Sequence, residues 1–259
     1  MGAMKGRLKP VLAGVAAVVV IGTGVALSLN DGSDQPVFRA APTTSASTTT
    51  EAPKQIKAPV ETTVADVIRH GVSLFSSPGV PYAPRPAMAN PTHEGLSVVF
   101  LVLEDHGPWL KVRVSLRPNG LVAWVKRSEV ALRTVPNKVV VEVGARRVTV
   151  WHGSQMLMRE TVAVGTDRTP TPTGRFFVDG IVQLPYDTGP YGAYQVSVSG
   201  FSDVLQSFGG GNGQIALHGT NRPDKLGQAV SNGCVRLDNA SITKLAELAP
   251  TGTPVVILA

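Results

Sequence analysis

From residue 61 onward, apolar and polar residues alternate in short runs broken by turn residues, and one stretch alone has helical spacing. Such a chain buries its apolar half by pairing strands into sheets with one face turned inward. The run 109–114 (Trp-Leu-Lys-Val-Arg-Val) alternates with period two, Pro118-Asn119-Gly120 makes a turn, and 121–125 returns as a strand. This predicts a small all-β, barrel-like domain over 61–135. Trp109 and Trp124 either line a ligand groove there or pack at the hairpin, and packing is the simpler reading. A second β-rich domain follows over 137–259. Residues 139–143 and 147–151 read as a hairpin around Gly144-Ala145, and 161–165 and 175–178 bracket a Thr/Pro loop. Residues 214–218 form a strand ending on His218, and 253–258 form a closing strand. The helical stretch has Asn239 as its cap, Ile242, Leu245 and Leu248 on one face, and Pro250 as its stop. The fold class is mainly β, with one or two short helices.

The amino terminus is of another kind. Lys5, Arg7 and Lys9 lie in a basic tail over 1–9, and an uncharged run follows from Val11 to Leu29. At about 1.5 Å per residue that run spans roughly 28 Å, close to the hydrocarbon thickness of a bilayer. It reads as a transmembrane signal-anchor over 10–29, longer than the apolar core of a cleavable signal peptide. Small residues at Ala26 and Ser28 leave cleavage, and hence secretion, as the alternative. The basic side faces the cytoplasm, so the remainder of the chain is expected outside the cell membrane. Residues 30–60, rich in Thr, Ser and Pro, bury too little apolar surface to order and read as a disordered linker. The net charge of +6 includes the three cations before the anchor, so the exported part carries about +3. With no basic run or interleaved aromatics, nucleic-acid binding is excluded as a partner class.

The chain has one cysteine, Cys234, so an exported protein of this kind forms no internal disulfide. The thiol stands in Ser231-Asn232-Gly233-Cys234-Val235-Arg236-Leu237, sixteen residues after His218 in Ala216-Leu217-His218-Gly219-Thr220. An imidazole can take the proton of a thiol, and Gly233 lets the backbone turn sharply to present the sulfur. Amide N–H groups at Gly233 and Cys234 would then lie where an oxyanion develops. Arg236, two residues on, shares a face with Cys234 if the segment is extended. It can hold a carboxylate, depress the thiol pKa, or fix the loop by a salt bridge. The constellation points to acyl transfer through a thioester.

Three ordered motifs resemble the L,D-transpeptidase (YkuD-type) catalytic domain: Thr171-Pro172-Thr173-Gly174-Arg175-Phe176, His218-Gly219-Thr220, and Ser231 through Leu237. Leu226-Gly227 also fits, and the likeness covers about residues 137–258. The 61–135 segment resembles bacterial Src-homology-3-like modules. The first resemblance implies an enzyme that forms 3→3 cross-links in peptidoglycan, with donor and acceptor stem peptides as partners and carbapenem β-lactams as acylating inhibitors. It implies Cys234 as nucleophile, His218 as base, the Gly219 carbonyl as the group that orients the imidazole, and Gly233 at the oxyanion. Arg236, Ser231, Asn232, Thr220 and Tyr191 are the candidate substrate contacts. Many relatives carry a second histidine where this chain has Asn232, which leaves His218 as the base in the motif.

Three readings compete: an L,D-carboxypeptidase that passes the acyl group to water, a sortase, and a non-catalytic wall-binding protein. The sortase reading fits poorly, since its histidine lies much farther from its cysteine. The intact Cys234, His218 and Arg236 argue against decay to a binding protein. His70, His93, His106 and His152 lack partners at catalytic or metal-ligand spacing and read as surface or loop residues. No Cys/His cluster suggests a metal, and the chemistry requires no cofactor. The glycine-rich 207–213 stretch lacks the Gly-Lys-Ser/Thr ending of a phosphate loop and reads as a loop flanking the active site. Tyr186, Tyr191 and Tyr194 either line the substrate groove or pack in the core.

Overall fold

The computed structural model describes residues 61–259. The signal-anchor expected over 10–29 and the linker expected over 30–60 lie outside the described residues. Among the described residues no helix is long and apolar enough to cross a membrane. Over the described residues the architecture is mainly β, with one α-helix and two short 3₁₀ turns.

The first module is a seven-stranded sheet. From edge to edge its strands are Val80–Pro81, Phe75–Ser77, Val122–Lys126, Trp109–Arg113, Val99–His106, Thr62–Val67 and Val130–Val135. Each recorded pairing is antiparallel. The expected hairpin is present, with Lys111 opposite Trp124 and Val112 opposite Ala123. Leu110 and Val112 alternate inward with Ala123 and Val125, which places Phe100, Val114 and Leu74 in the same buried cluster. Trp109 packs edge-on against Phe75 with ring centroids 4.8 Å apart, and Trp124 lies against His106 at 5.0 Å. Both tryptophans therefore pack at the hairpin.

The second module is an eight-stranded sheet. Its order is Gln155–Thr161, Arg147–His152, Asn137–Glu142, Pro254–Leu258, Gly174–Gln183, Tyr194–Phe201, Gln214–His218 and Val235–Arg236. Val-rich inward faces from these strands meet Ile242 and Leu245 of the helix Asn239–Leu248 in one core. The helix is where the sequence places it, but its cap is not Asn239. Asp238 holds the extended backbone of the cap position, and its carboxylate accepts from the Ser241 amide at 2.9 Å. An ionised carboxylate satisfies a free helix amide and the local dipole together. Asn239 is released to reach across the surface, donating from Nδ2 to Asp187 O at 2.9 Å.

The two modules share a small apolar cluster in which Phe177 of the second is enclosed by Val64, Val99 and Val135 of the first. Arg133 holds Asp66 through two bonds of 2.6 and 3.0 Å and extends Nη2 to Thr251 O at 2.9 Å. Ser115 Oγ donates to Asp179 Oδ2, which also accepts from Gln214 Nε2 at 2.6 Å.

Candidate active site

The site is built on the edge of the catalytic sheet. Val235–Arg236 pairs in parallel with Gln214–His218, with Leu217 opposite Val235 and His218 opposite Arg236. Leu217 and Val235 point into the core and are fully buried. Period-two alternation therefore turns His218 and Arg236 to the other face together, and Cys234, two residues before Arg236, joins them. The three side chains line one pocket of about 260 Å³, together with Ser231, Asn232, Tyr191, Pro190, Ile215 and the residues Ser202, Leu205, Phe208, Gly213 and Gln214.

Gly233, just before the thiol, has φ +115°, where L side chains are strained. A Cβ there would stand 3.0 Å from Ile215 Cδ1 and 3.4 Å from Pro170 O. Ser231 supports this turn, donating from Oγ to Cys234 O and accepting from the Gly233 amide at 3.1 Å. The hydroxyl of Ser231 is thus engaged with backbone, and the Gly233 N–H is already bonded in the resting site. The Ser231 carbonyl is held in turn by Thr166 N at 3.1 Å and Thr169 Oγ1 at 3.2 Å. Thr171, the first residue of the Thr-Pro-Thr-Gly motif, accepts from Gly165 N at 2.9 Å and closes that loop.

His218 is 3 % exposed. Its Nδ1 lies 2.6 Å from Gly219 O. A carbonyl oxygen only accepts, so Nδ1 carries the proton and Nε2 is left with the lone pair. Gly219 can turn its carbonyl back because its backbone crosses that of Gly192, and a Cβ on Gly219 would stand 2.9 Å from Gly192 Cα. Tyr191, on the same crossing segment, lays its ring beside the imidazole at 4.9 Å between centroids and 58° between planes. Thr220 is buried, and its hydroxyl accepts from Arg222 N at 3.0 Å. Tyr186 is 75 % exposed. Tyr194 packs against the core. Of the three tyrosines only Tyr191 joins the pocket.

Burial governs the electrostatics. It pulls the His218 pKa down to about 4, and the Arg236 charge acts in the same direction against the Gly219 bond. It pushes the Cys234 thiol up, while a backbone bond from Ala216 and the Arg236 charge pull it down less strongly. The expectation that Arg236 depresses the thiol holds for its own contribution and fails for the sum, because desolvation of a buried thiolate is the larger effect. The resting pair is neutral thiol and neutral imidazole. Arg236 makes no ion pair among the described residues, and its Nε is buried without a hydrogen-bond partner. The loop-fixing salt bridge is absent.

Cys234, His218, Arg236, Ser231, Asn232 and Tyr191 thus line one pocket, and Thr220, Tyr186 and Tyr194 do not. Sequence reasoning did not single out Thr166 and Thr169, which hold the Ser231 carbonyl, or Gly192, whose role exists only through its crossing with Gly219. The glycine-rich 207–213 stretch does flank the site, through Phe208 and Gly213.

A family model described as the L,D-transpeptidase catalytic domain, YkuD, matches residues 136–257. The YkuD protein of Bacillus subtilis (strain 168), assigned to the L,D-transpeptidases, is 36% identical over 124 residues, covering 48% of this chain and 67% of that protein. The YqjB protein of the same organism, assigned likewise, is 34% identical over 108 residues, covering 38% and 57%. Among solved structures, an L,D-transpeptidase from Mycobacterium tuberculosis H37Rv overlaps 61% of this chain and 96% of its own, at 16% identity and a TM-score of 0.41.

Proposed function

The chain belongs to the L,D-transpeptidase family, and we propose that it forms 3→3 peptidoglycan cross-links through a thioester at Cys234, acting from outside the cytoplasmic membrane. The observation that carries the reading is the parallel register that turns Cys234, His218 and Arg236 into one pocket. Nε2 of His218 takes the thiol proton as sulfur attacks the carbonyl of the diamino-acid residue in a donor tetrapeptide. The same proton then passes to the leaving amine, D-alanine departs, and the acyl group rests on sulfur. A side-chain amine of a neighbouring stem attacks next, gives its proton to Nε2, and releases the thiol. The Cys234 and Gly233 amides lie beside the developing oxyanion, and at Gly233 that anion competes with Ser231 Oγ for the N–H. Arg236, with no carboxylate partner among the described residues, offers a fork for a substrate carboxylate. Tyr191, Asn232 and Ser231 contribute the adjoining walls, and buried Thr220 supports the His218 segment.

In this reading the 10–29 run anchors the chain in the membrane, and the first module is Src-homology-3-like. Carbapenems acylate Cys234. The test is incubation with purified tetrapeptide stems, followed by intact mass. An acyl-enzyme on Cys234 and a stem dimer are expected, and both vanish in Cys234→Ala with the fold retained. Free tripeptide without dimer would make water the acceptor and the enzyme a carboxypeptidase. Cross-linking retained by Cys234→Ala would overturn the mechanism.

A further inference from the structure

One wall of the pocket has no strand of its own. Between the strands Tyr194–Phe201 and Gln214–His218 the chain makes an irregular excursion through Ser202, Leu205, Phe208 and Gly213, all four of which line the pocket. On another side, Phe201, Asn212 and Gln214 border a separate cavity of about 640 Å³. Between its buried ends Ser202 and Gly213 the excursion is exposed or half-buried throughout, so hydrogen bonds rather than core packing supply its position.

The excursion bonds to itself through Ser202 N to Gly213 O at 2.8 Å and through the Ser202 hydroxyl, which accepts from Val204 N and Leu205 N. The side chains that tie it to another element come from the first module. Arg117, in the first module, donates from Nη1 to Ser202 O at 2.9 Å and from Nη2 to Leu205 O at 2.9 Å and Asn212 O at 3.2 Å. One guanidinium thus gathers carbonyls from the start, middle and end of the excursion. Its carbon also lies 5.1 Å from the centre of the Phe201 ring. Gly213 has φ +76°, and a Cβ there would meet Arg117 Nη2 at 3.0 Å, so the arginine sits against the backbone where the wall rejoins the sheet. Asn119 brackets Phe201, donating from Nδ2 to its carbonyl and accepting its amide at Oδ1, both at 2.8 Å. A planar fork presents separate nitrogens, fixed in one plane, to carbonyls lying apart, whereas the three N–H bonds of a lysine all leave one atom at the end of a flexible stem.

We propose that Arg117 and Asn119 are positioning residues for the substrate pocket: the first module holds the 202–213 wall, and donor binding depends on that hold while the reactivity of Cys234 does not. The substrate part of this inference rests on the transpeptidase reading. The role of the first module is then to complete the active site, whatever else it binds.

The test uses the full chain with Arg117→Ala, Asn119→Ala and Arg117→Lys. Hydrogen exchange across 202–213 should quicken roughly tenfold in both alanine variants, while peptides over 214–218 and 231–236 stay as in the wild type. Alkylation of Cys234 by iodoacetamide, which needs little of the wall, should stay within about twofold. KM for a tetrapeptide stem should rise roughly tenfold, with kcat changed far less. Arg117→Lys should fall with Arg117→Ala, since charge without the fork does not hold three carbonyls. Unchanged exchange over 202–213 overturns the proposal. So does exchange that quickens evenly across the catalytic strands with alkylation moving in step, which marks a merely structural role. Asn119→Ala, the smaller cut, carries the same test if Arg117→Ala fails to fold. A wild type that alkylates but never turns over stem peptides would sink the transpeptidase reading alone, and exchange and alkylation would still decide the positioning.

Discussion

At the scale of single residues, the pocket contains a thiol and an imidazole that are both held neutral. Burial raises one pKa and lowers the other, which disfavours a stored ion pair, and in the proposed mechanism the thiolate is made when His218 Nε2 takes the proton during attack. The sign has a direct consequence. Iodoacetamide alkylation of Cys234 should climb through and beyond about pH 8.5, the ordinary thiol pKa, with no plateau between pH 5 and 7. An imidazolium–thiolate pair would give that plateau, and its appearance would contradict the neutral pair. Arg236 pulls the thiol down, so Arg236→Gln should slow alkylation at pH 8, and an unchanged rate would remove Arg236 from the electrostatics of the thiol. The residues of this chemistry were legible because Cys234 is the one thiol and its flanking Gly and Arg have clear tasks. The net direction of its pKa was not, since desolvation depends on neighbours such as Ile215 that the local sequence does not contain.

At the scale of elements, alternation made the hairpins readable. Val139, Val141, Val148 and Val150 face one core from adjacent strands, as their period-two spacing requires. Tyr194–Phe201 carries the same alternation, Tyr194, Val196 and Val198 against Gln195, Ser197 and Ser199, although here both faces are buried. That strand pairs with Gln214–His218 and so positions the histidine, yet it is absent from the expectations drawn from sequence. The helix start shows a finer limit. Asp238 and Asn239 both have capping side chains, and only the backbone angle at Asp238 decides between them. Asp238 also accepts from Ser241 Oγ, and Leu237 N beside it bonds His218 O at 2.9 Å. Asp238→Ala should therefore cost about 1 kcal/mol of stability, read as a lower urea midpoint with an unchanged slope. Asn239→Ala should leave that midpoint nearly unmoved and instead loosen the Asp187–Ala193 segment around Tyr191. Equal losses from the two variants would refute the assignment of the cap.

At the scale of the whole molecule, the two sheets are joined through groups that no local pattern in the sequence marks. Phe177 reads as one more inward residue of its strand, yet it fills a cluster whose other buried members belong to the first module. Phe177→Ala should cost about 3–5 kcal/mol, and its effect should reach both sheets. Calorimetry of the wild type should accordingly show one cooperative transition for the two modules, with a second transition split off in the variant. The polar junction beside it responds to pH. Burial raises the Asp179 carboxyl to about 6 against the pull of its Ser115 and Gln214 bonds, and Glu94 adds to the rise. A carboxyl raised above its unfolded value near 3.8 adds stability at low pH and loses that contribution as pH climbs through 6. His218, lowered to about 4, acts oppositely and weakens the fold as pH falls from 6.5 towards 4. The two effects nearly offset each other in the wild type, so its own melting curve hides both. Asp179→Asn separates them, because the amide oxygen keeps the role of Oδ2 while the titration disappears. The melting temperature of Asp179→Asn relative to wild type should then rise between pH 4 and 6, by roughly 5 °C, and stay flat on either side. A difference independent of pH would mean that Asp179 is already charged throughout, and that Ser115 and Gln214 compensate its burial in full.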